Sequence, residues 1–384
     1  MERQIAHLDL DTFFVSVERL KNSKLLDKPV IVGGGTRGVV AACSYETRKF
    51  GVHSAMPMRT ALYLCPQAIV IAGDYENYSK YSKLVTDVIA DNVPLYEKAS
   101  IDEFYTDMTG MDKFFGTAKY MVELKQKITK ETGLDITYAL ASNKLISKVA
   151  TNEVKPNGQI QIPFGNERSY IAPLHIRKMP GIGEKTSLLL TDMGVKTIKI
   201  LSEIPQQMLV KMFGKSGTEL SRRANGIDET PVIPYREQKS ISSESTFDND
   251  TIDINFLESQ LVHLTEKIAF ELRDQNKQTG CITVKIRYAD FNTYTKQITI
   301  PYTSADHILI KTATELFHKL YDRRLLVRLI GVRFSDLIHG HYQINLFEDS
   351  QRIINLYQQV DGIKHRFGSN VICRAKGKMR LQNQ

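Results

Sequence analysis

The sequence predicts a multidomain protein of the mixed α/β class. Its 384 residues exceed the size at which one hydrophobic core usually keeps growing, which favours two or more domains. Residues 1–165 alternate between strand and helix patterns, whereas residues 167–235 contain short helices interrupted by glycine. Residues 240–340 follow the order strand, helix, strand, strand, helix, strand, which is typical of a ferredoxin-like sheet covered by two helices. We therefore expect an α/β body, a helical region and a second α/β body.

Composition narrows the class of protein. The formal net charge of +8 at pH 7 favours a polyanionic partner without requiring one. The four cysteines are far apart and no two have Cys-x-x-Cys spacing, so neither a zinc site nor a disulfide framework is expected. No apolar run approaches the ~18 residues of a membrane span, and the N-terminus has no signal-peptide pattern. We expect a soluble, cytoplasmic protein without a membrane partner.

The first region begins with an apolar strand over 4–10, followed by a helix from Thr12 and a second strand over 38–43. Gly33 to Gly35, just before that second strand, resemble a phosphate-binding loop. However, no Gly-Lys-Ser/Thr follows them and they lead into a strand, so a turn is the favoured interpretation. The other predicted elements of this region are a helix over 75–91, a strand over 99–107, a helix over 115–131, a strand over 135–140 and a helix from Ser142.

Two short acidic motifs on apolar strands carry the strongest chemical signal. Asp9 lies near the end of the first strand, and Asp102 with Glu103 lies in the strand over 99–107. Apolar neighbours place such acids at a strand end or on a sheet surface, and three carboxylates brought together cannot all stay ionised without a cation. Mg²⁺ suits carboxylate oxygens and substrate phosphates, with the Leu10 carbonyl as a further ligand. The pattern predicts two-metal phosphoryl transfer.

Other polar residues of this region have two interpretations each. Asp11 continues the alternation of the first strand but also stands where it would cap the helix that follows, and capping is favoured. Tyr45 and Arg48 are three residues apart, which puts a hydroxyl and a guanidinium on one face of a helical turn suited to a triphosphate. Lys155, at a helix end before Pro-Asn-Gly, supplies a further positive charge. Taken alone, these last three residues would equally be ordinary surface residues.

Glycine-containing turns between short helices mark the second region. The sequence Pro-Gly-Ile-Gly, with Gly181 and Gly183, opens a helix that carries Lys185. Such glycines expose backbone N–H groups that bind a phosphate without identifying a base, as in the helix-hairpin-helix pattern. An ordinary turn between helices is the alternative, and DNA backbone binding is favoured. Residues 213–217 resemble a second copy, for which both interpretations remain open.

A polar linker, residues 234–239, leads into the third region. Its predicted elements are strands over 240–247, 281–289, 293–301 and 325–336 and helices over 254–275 and 305–321. Basic residues alternate with apolar ones on these strands, which makes one face of the sheet a candidate platform for a DNA backbone, a merely solvated face being the alternative. The basic residues are Lys285, Arg287, Lys296, Arg328 and Arg333.

Several short motifs occur in a characteristic order along the chain. They are Phe13-Phe14 after Asp9, Ser-Tyr-Glu-Thr-Arg-Lys-Phe-Gly-Val from Ser44, Ser-Ala-Met-Pro over 54–57, Ser-Ile-Asp-Glu over 100–103, Asn143-Lys144, Lys-Pro-Asn-Gly from Lys155 and Pro-Gly-Ile-Gly from Pro180. Over about residues 1–340 the chain thereby resembles the Y-family translesion DNA polymerases of the DinB type. The resemblance implies a right-hand polymerase. Its parts would be a palm (1–10 and 74–166), small fingers (11–73), a helical thumb (167–235) and a ferredoxin-like little finger (240–340).

The resemblance also implies an activity. This is template-directed, error-prone DNA synthesis on damaged templates, from dNTPs to a primer 3′-hydroxyl, and we expect no proofreading because no second acidic motif is apparent. Asp9, Asp102 and Glu103 would be the catalytic ligands of two Mg²⁺ ions, and Phe14 would be the steric gate that excludes a ribose 2′-hydroxyl. A catalytically silent relative is the alternative, which the presence of all three acids disfavours. The residues implied to contact the incoming nucleotide are Phe13, Phe14, Tyr45, Arg48 and Lys155.

The C-terminal region, residues 341–384, adds a candidate partner. Gln343, Leu346 and Phe347 form a Gln-x-x-Leu-Phe peptide that resembles the one by which bacterial polymerases hold the replicative sliding clamp. Beyond it, residues 350–384 contain a helical segment and a basic end, and would be either a DNA-contacting tail or disordered. We expect a monomer that binds primer–template DNA, a dNTP and the sliding clamp.

Overall fold

A computed structural model of the protein describes residues 2–35, 37–111, 116–321, 325–340, 350–368 and 371–377. The chain divides into two units, residues 1–236 and 237–384. None of the described helices is long and apolar enough to cross a membrane.

The first unit combines two sheets with a series of helices. In chain order its elements are β1 (Ile5–Leu10), α1 (Phe13–Lys21), β2 (Val30–Gly33), β3 (Val40–Cys43), α2 (Tyr45–Arg48), α3 (Met58–Leu64), β4 (Ile69–Ile71), α4 (Tyr75–Ala90), β5 (Tyr96–Lys98), β6 (Glu103–Asp107), α5 (Thr117–Thr132), β7 (Ile136–Ala141), α6 (Lys144–Glu153), β8 (Gln159–Gln161), α7 (Glu167–Ile171), α8 (Glu184–Asp192), α9 (Ile198–Glu203), α10 (Gln206–Phe213) and α11 (Lys215–Ala224).

The central sheet of this unit has the strand order β5-β6-β1-β7-β8, with β1 antiparallel to both of its neighbours. Every residue of β1 and β7 is buried, because each strand is paired on both sides and helices cover the sheet. Leu8 of β1, Tyr78 of α4 and Ile128 of α5 belong to one core. Ile146 of α6 and Leu190 of α8 belong to a second core, which joins the sheet to the helical region. A polar side chain on β1 therefore needs a partner inside the protein.

A smaller sheet, in the order β3-β2-β4, lies beside α2 and α3, and its core includes Ile31, Val40 and Met58. β3 agrees with the strand predicted over 38–43. α3 and β4 are not among the predicted elements. β4 has only three residues and is largely exposed, so it carries no apolar periodicity that would indicate a strand.

The acidic motif differs locally from its predicted structure. The sequence predicts one strand over 99–107, but the structure has a hairpin in which a turn at 99–102 joins β5 to β6. The Ser100 hydroxyl oxygen accepts hydrogen bonds from the amides of Asp102 (3.3 Å) and Glu103 (3.0 Å). These bonds reverse the chain direction, because a serine hydroxyl can replace a backbone acceptor in a turn. Asp102 therefore lies in the turn, and Glu103 begins β6.

The second unit confirms the predicted order of strands and helices. Its four strands form an antiparallel sheet in the order β11-β10-β12-β9, with α12 and α13 on one face. The core between sheet and helices includes Leu261, Ile286 and Phe334. We call the sheet face turned away from this core, which carries Glu244 and Lys285, the open face. The elements are β9 (Ser240–Thr251), α12 (Ile254–Asp274), β10 (Lys277–Tyr288), β11 (Thr293–Thr303), α13 (Asp306–Leu320), β12 (Val327–His339) and α14 (Ser350–Phe367).

The described part of the C-terminal tail packs on the helical side of this unit. The Arg273 side chain of α12 is 6% exposed and forms ion pairs with Asp361 of α14 (2.6 Å) and with Asp306 of α13. The hydroxyl of Tyr357 in α14 accepts a hydrogen bond from the His307 amide (3.1 Å). α14 is therefore a docked helix, and the alternative of a disordered tail is wrong for these residues.

Candidate active site

β1 and β6 place two of the three predicted acids opposite each other. Asp9 and Glu103 are direct partners in the antiparallel register. Single ligand atoms from His7, Asp9 and Glu103 all lie within 4.8 Å of one another, the one such group of possible metal ligands in the described part of the chain. Alternation along β1 puts His7 and Asp9 on the same face of the sheet. Two carboxylates this close favour a bound cation.

Asp9 already has a positively charged partner. The side chain is 6% exposed, and burial raises the pKa of its carboxyl to about 7. Lys155 Nζ lies 2.5 Å from Asp9 Oδ1 and opposes this rise in the pKa, whereas the charges of Asp102 and Glu103 add to it. The Lys155 ammonium therefore supplies the positive charge that balances the Asp9 carboxylate.

Glu103 has a lysine partner of its own. Lys148 Nζ, on α6, lies 2.7 Å from Glu103 Oε2, and His7 Nε2 lies 4.0 Å from Oε1. His7 is fully buried, and among the described residues neither of its ring nitrogens has a hydrogen-bond partner. Burial and the nearby lysines hold the pKa of His7 well below its usual range, so the imidazole is neutral.

Sequence reasoning missed both His7 and Lys148. Alternation along β1 gives a signal for His7, because the residue two positions before Asp9 must share its face. Lys148 gives no such signal, since only the folded chain brings α6 next to β6.

Asp102, the third predicted acid, lies outside this group. Its Oδ1 accepts a hydrogen bond from Ser100 Oγ (2.6 Å), and its carbonyl accepts one from the Leu10 amide (3.0 Å). The turn thus holds Asp102 at the end of β1, close enough for its charge to raise the pKa of Asp9. The structure brings Asp9 and Glu103 together and leaves Asp102 and Leu10 immediately beside them.

Asp11 does not cap the first helix, so the favoured prediction for it is wrong. The N-cap of α1 is Thr12, which has a left-handed φ of 43° and accepts no side-chain cap bond. Asp11 Oδ1 instead accepts from the Tyr45 hydroxyl (2.9 Å), and Oδ2 accepts from the Thr137 hydroxyl (2.8 Å) and the Asn157 amide (2.8 Å). The carboxylate follows the alternation of β1 toward these donors. It thereby connects α2, β7 and the turn after α6.

Tyr45 and Arg48 lie on the single turn α2, as predicted. The Arg48 guanidinium lies 4.9 Å from the centre of the Tyr45 ring and is exposed. Burial, with the Asp11 charge, raises the pKa of Tyr45 above its usual range, so its hydroxyl remains a hydrogen-bond donor.

The two adjacent phenylalanines have different surroundings. Phe14 is half-buried and stacks on Tyr78, with ring centres 4.3 Å apart, and it makes an edge-to-face contact with Tyr75, whose ring centre lies 5.5 Å from its own. Phe13 is 3% exposed and belongs to the core of the central sheet. Its side chain therefore cannot contact a nucleotide, and only its backbone N–H at the start of α1 is suited to the predicted role.

The glycine turn of the second region leads directly into a helix. Gly181 has a φ of 92°, and Gly183 immediately precedes α8, whose first turn carries the exposed Lys185. Arg223 of α11 donates a hydrogen bond to the carbonyl of the residue before Gly181 (3.1 Å), a support that the sequence did not indicate. The left-handed backbone angle favours glycine at position 181, and a Cβ there would lie 2.7 Å from Arg223 Nη1, so the arginine side chain would have to shift. At the second copy, Gly214 alone joins α10 to α11.

The predicted basic residues of the second unit do not all share the open face. Strand register puts Lys285, Arg287 and Arg333 on it, and Arg333 is exposed. Lys285 pairs with an acid on the same face, and Arg287 Nε donates to the Thr293 hydroxyl (2.8 Å).

Lys296 and Arg328 lie elsewhere in this sheet, and for Lys296 the prediction of a shared face is wrong. Lys296 is the register partner of the core residue Val284, so it points to the helical side, where Nζ donates to the Lys319 carbonyl (3.3 Å). Arg328 lies at a register shift of β12, with its guanidinium 4.7 Å from the ring centre of Phe291. The predicted sliding-clamp residues Gln343, Leu346 and Phe347 lie outside the described residues.

The chain is similar to known proteins over almost its whole length. It matches the impB/mucB/samB family over residues 8–152 and the C-terminal domain of that family over residues 238–346. Relatives include the DNA polymerase IV of Dehalococcoides mccartyi, 42% identical over 95% of both chains, and that of Treponema denticola, 36% identical over 98% of this chain and 97% of its own.

Solved structures agree with these sequence matches. A Y-family DNA polymerase chimera of Dbh and Dpo4 has 27% identity and a TM-score of 0.77, and an insertion ternary complex of Dbh DNA polymerase has 26% identity and a TM-score of 0.64. Each covers 88% of this chain and 100% of its own. Sequence identity at this level and coverage, together with the same fold, identifies one family. The chain belongs to the impB/mucB/samB family and is a Y-family translesion DNA polymerase.

Proposed function

We propose that this error-prone DNA polymerase joins a dNTP to a primer 3′-hydroxyl at a site built from Asp9, Asp102 and Glu103, with Mg²⁺ as its divalent metal. The observation that carries the proposal is the cross-strand pair of the buried Asp9 and the half-buried Glu103, each balanced by its own lysine. Such a pair is costly to keep without a counter-charge, and it adjoins a third carboxylate in the hairpin turn.

The available donors fit Mg²⁺. They are carboxylate oxygens, together with the carbonyl of Leu10, and a hard cation with water and phosphate in its remaining positions prefers oxygen. Two bound Mg²⁺ ions would lower the charge barrier to attack by the 3′-hydroxyl and stabilise the leaving pyrophosphate. Asp102 would turn from Ser100 toward Asp9 to complete the set.

Lys155 has a second task in this proposal. Its ammonium pairs with Asp9, and a metal at Asp9 would release it to the incoming triphosphate. Arg48 lies on the neighbouring α2 and would bind the same phosphates. The Tyr45 hydroxyl of that turn donates its one proton to Asp11, and would join Arg48 by turning this donor to a phosphate oxygen. Metal and nucleotide binding would then support each other, because both require Lys155 to leave Asp9.

Phe14 is proposed to exclude ribonucleotides. Its ring is stacked against Tyr78, which fixes its position, so a sugar resting on the exposed side would have no room for a 2′-hydroxyl.

The primer–template duplex would be held through its phosphates. The backbone amides at Gly181 and Gly183, with Lys185, suit a phosphate at the start of α8. On the open face of the second unit, exposed basic groups and hydroxyls suit a DNA backbone without identifying its sequence. The residues proposed for that face and its end are Lys285, Arg287, Arg328 and Arg333.

We further infer a cytoplasmic monomer that is tethered to the sliding clamp by Gln343, Leu346 and Phe347. The cysteines among the described residues are all free, which suits a reducing compartment. The peptide offers one polar and two apolar anchors, a combination that suits a shallow apolar pocket.

Primer extension by acid variants tests the metal site. Asp102→Ala and Glu103→Ala should each lower the extension rate by roughly a hundredfold or more, because the transition-state charge loses its balancing metal. Primer–template affinity, measured by fluorescence anisotropy, should persist. Glu76→Ala is the matched control, since Glu76 is an exposed acid whose partner is Lys80 (2.8 Å). Extension retained by both active-site variants would refute the assignment.

A further inference from the structure

An acidic residue lies in the middle of the open face of the second unit. Glu244 of β9 is the register partner of Gly331 of β12, and Gly331 is in turn the partner of Lys285 of β10. The Glu244 carboxylate forms an ion pair with the Lys285 ammonium across the intervening strand. The two side chains remain 37% and 32% exposed, so both are accessible to a ligand on this face.

Gly331 makes this contact across a strand possible. A Cβ at Gly331 would lie 2.8 Å from Glu244 Cγ and 3.3 Å from Cδ, so any larger residue would push the carboxylate away from Lys285. Glycine inside a strand otherwise weakens it, and commonly marks a place where another group approaches the backbone closely. Here the approaching group is the Glu244 side chain.

The surroundings of the pair suit a phosphate. Arg333, two residues from Gly331 on the same strand face, is exposed and has no ion pair within the described part of the chain. Ser242 and Thr283 flank it as register partners and present hydroxyl groups. A carboxylate amid these groups occupies a position that a phosphate oxygen would otherwise take.

We propose that Glu244 competes with DNA phosphate for Lys285 and thereby limits how tightly this polymerase holds its template. The proposal rests on the proposed function, in which the open face binds the DNA backbone. In the free protein the Glu244–Lys285 pair has no net charge, so Lys285 adds little to the release of counterions from DNA. A phosphate that binds Lys285 must displace Glu244 and then remain near its negative charge. The face is therefore tuned for brief contact with DNA.

Glu244→Gln removes the competing charge and keeps the size of the side chain. Primer–template binding, followed by anisotropy between about 50 and 200 mM salt, should become roughly three- to tenfold tighter at the lower salt concentration. The slope of log K against log salt should steepen by about one, because Lys285 then gains a phosphate of its own. Asp336→Asn is the matched control: it removes the same charge from an exposed acid of β12 whose partner is the Tyr302 hydroxyl (3.1 Å).

Lys285→Ala supplies the second half of the test. It should weaken binding less in the natural chain, where a phosphate must displace Glu244 to reach Lys285, than in the Glu244→Gln background, and it should abolish the whole gain of Glu244→Gln when the two are combined. The proposal is overturned if Glu244→Gln binds no tighter than Asp336→Asn. It is overturned equally if Lys285→Ala weakens binding as much in the natural chain as in the Glu244→Gln background.

Arg333→Ala distinguishes a failure of this proposal from a failure of the proposed DNA binding by the open face. If Arg333→Ala loses affinity and about one unit of salt slope while Glu244→Gln binds DNA like the natural chain, the result overturns only the role of Glu244. If neither variant alters binding, the open face does not contact DNA and both proposals fail.

Discussion

At the scale of single residues, the candidate site is organised by charges that balance each other in pairs. Asp9 is held by Lys155 and Glu103 by Lys148, so each acid has an opposite charge beside it. Asn143 and Lys144, which contribute to the family resemblance, have structural roles and are not part of the acid group. Asn143 caps α6, and Lys144 pairs with the buried Glu97 at 2.6 Å.

The raised pKa of Asp9 makes metal binding dependent on pH. A proton and a metal compete for this carboxylate, and because its pKa is about 7 the proton dominates below that pH. The apparent Mg²⁺ affinity of the DNA-free protein should rise about tenfold between pH ~6 and pH ~7.5 and then level off. Isothermal titration calorimetry at several pH values measures this rise. Asp9→Asn should bind weakly without such a step, and a flat profile for the natural chain would contradict the prediction.

Phe14→Ala should admit ribonucleotides. Removal of the ring opens space for a 2′-hydroxyl, and discrimination between a dNTP and the matching rNTP should fall by roughly 10- to 100-fold. Single-nucleotide insertion kinetics with both sugars give the ratio. Phe14→Tyr, which keeps the ring, should remain selective, and equal selectivity in the alanine variant would exclude the gate.

The sequence was sufficient to predict that Asp9 and Glu103 lie together, because acids among apolar strand residues are costly to bury unless a cation balances their charge. It was insufficient for Asp11. The local context offered a helix cap, whereas the folded sheet offered donors from Thr137 and Asn157 that are remote in the chain. Lys148 is likewise remote in the chain from its partner Glu103, so the sequence did not indicate it.

At the scale of elements, length decides how well the sequence predicts the structure. The long amphipathic helices and the βαββαβ order of the second unit were predictable, since each has several turns or strands of clear periodicity. α3, β4 and β8 were not predicted, because three to seven residues give too few repeats. The hairpin turn at 99–102 depends on one serine hydroxyl, which no periodicity reports.

The docking of α14 depends on Arg273. Arg273→Ala leaves the carboxylates of Asp306 and Asp361 without their shared partner, and should lower the free energy of unfolding of the second unit by about 3–5 kcal/mol. Urea denaturation followed by circular dichroism provides the measurement. Arg366→Ala, an exposed arginine of α14 that contacts the Phe367 ring, should change stability by less than about 0.5 kcal/mol. Equal effects of the two variants would show that α14 is not held by Arg273.

At the scale of the whole molecule, a positive charge of +8 is a weak indication of DNA binding by itself. The charge indicates DNA binding specifically only in combination with the acid pair, the glycine turn at α8 and the basic open face. Each lies on a different part of the chain, so no single segment of sequence predicts the activity. The overall charge also implies that template binding weakens with added salt.

The sliding-clamp peptide affects the molecule as a whole rather than its chemistry. Leu346→Ala combined with Phe347→Ala should leave distributive primer extension unchanged, because no residue of the candidate active site is altered. Stimulation by a loaded sliding clamp should fall by roughly tenfold or more, since the two side chains are the proposed apolar anchors of the peptide. Extension assays with and without the clamp separate the two effects. Full stimulation of the double variant would place the tether elsewhere.

The Asp11 carboxylate bears on how this polymerase selects nucleotides. Because it hydrogen-bonds Tyr45 on one side and Thr137 on the other, moving α2 away from the central sheet breaks a bond worth about 1.5–3 kcal/mol. At the proposed site, the nucleotide pocket would therefore be assembled before any base has been tested. An enzyme whose pocket is already closed does not test the shape of a base by a closing motion. It therefore tolerates bases of unusual shape.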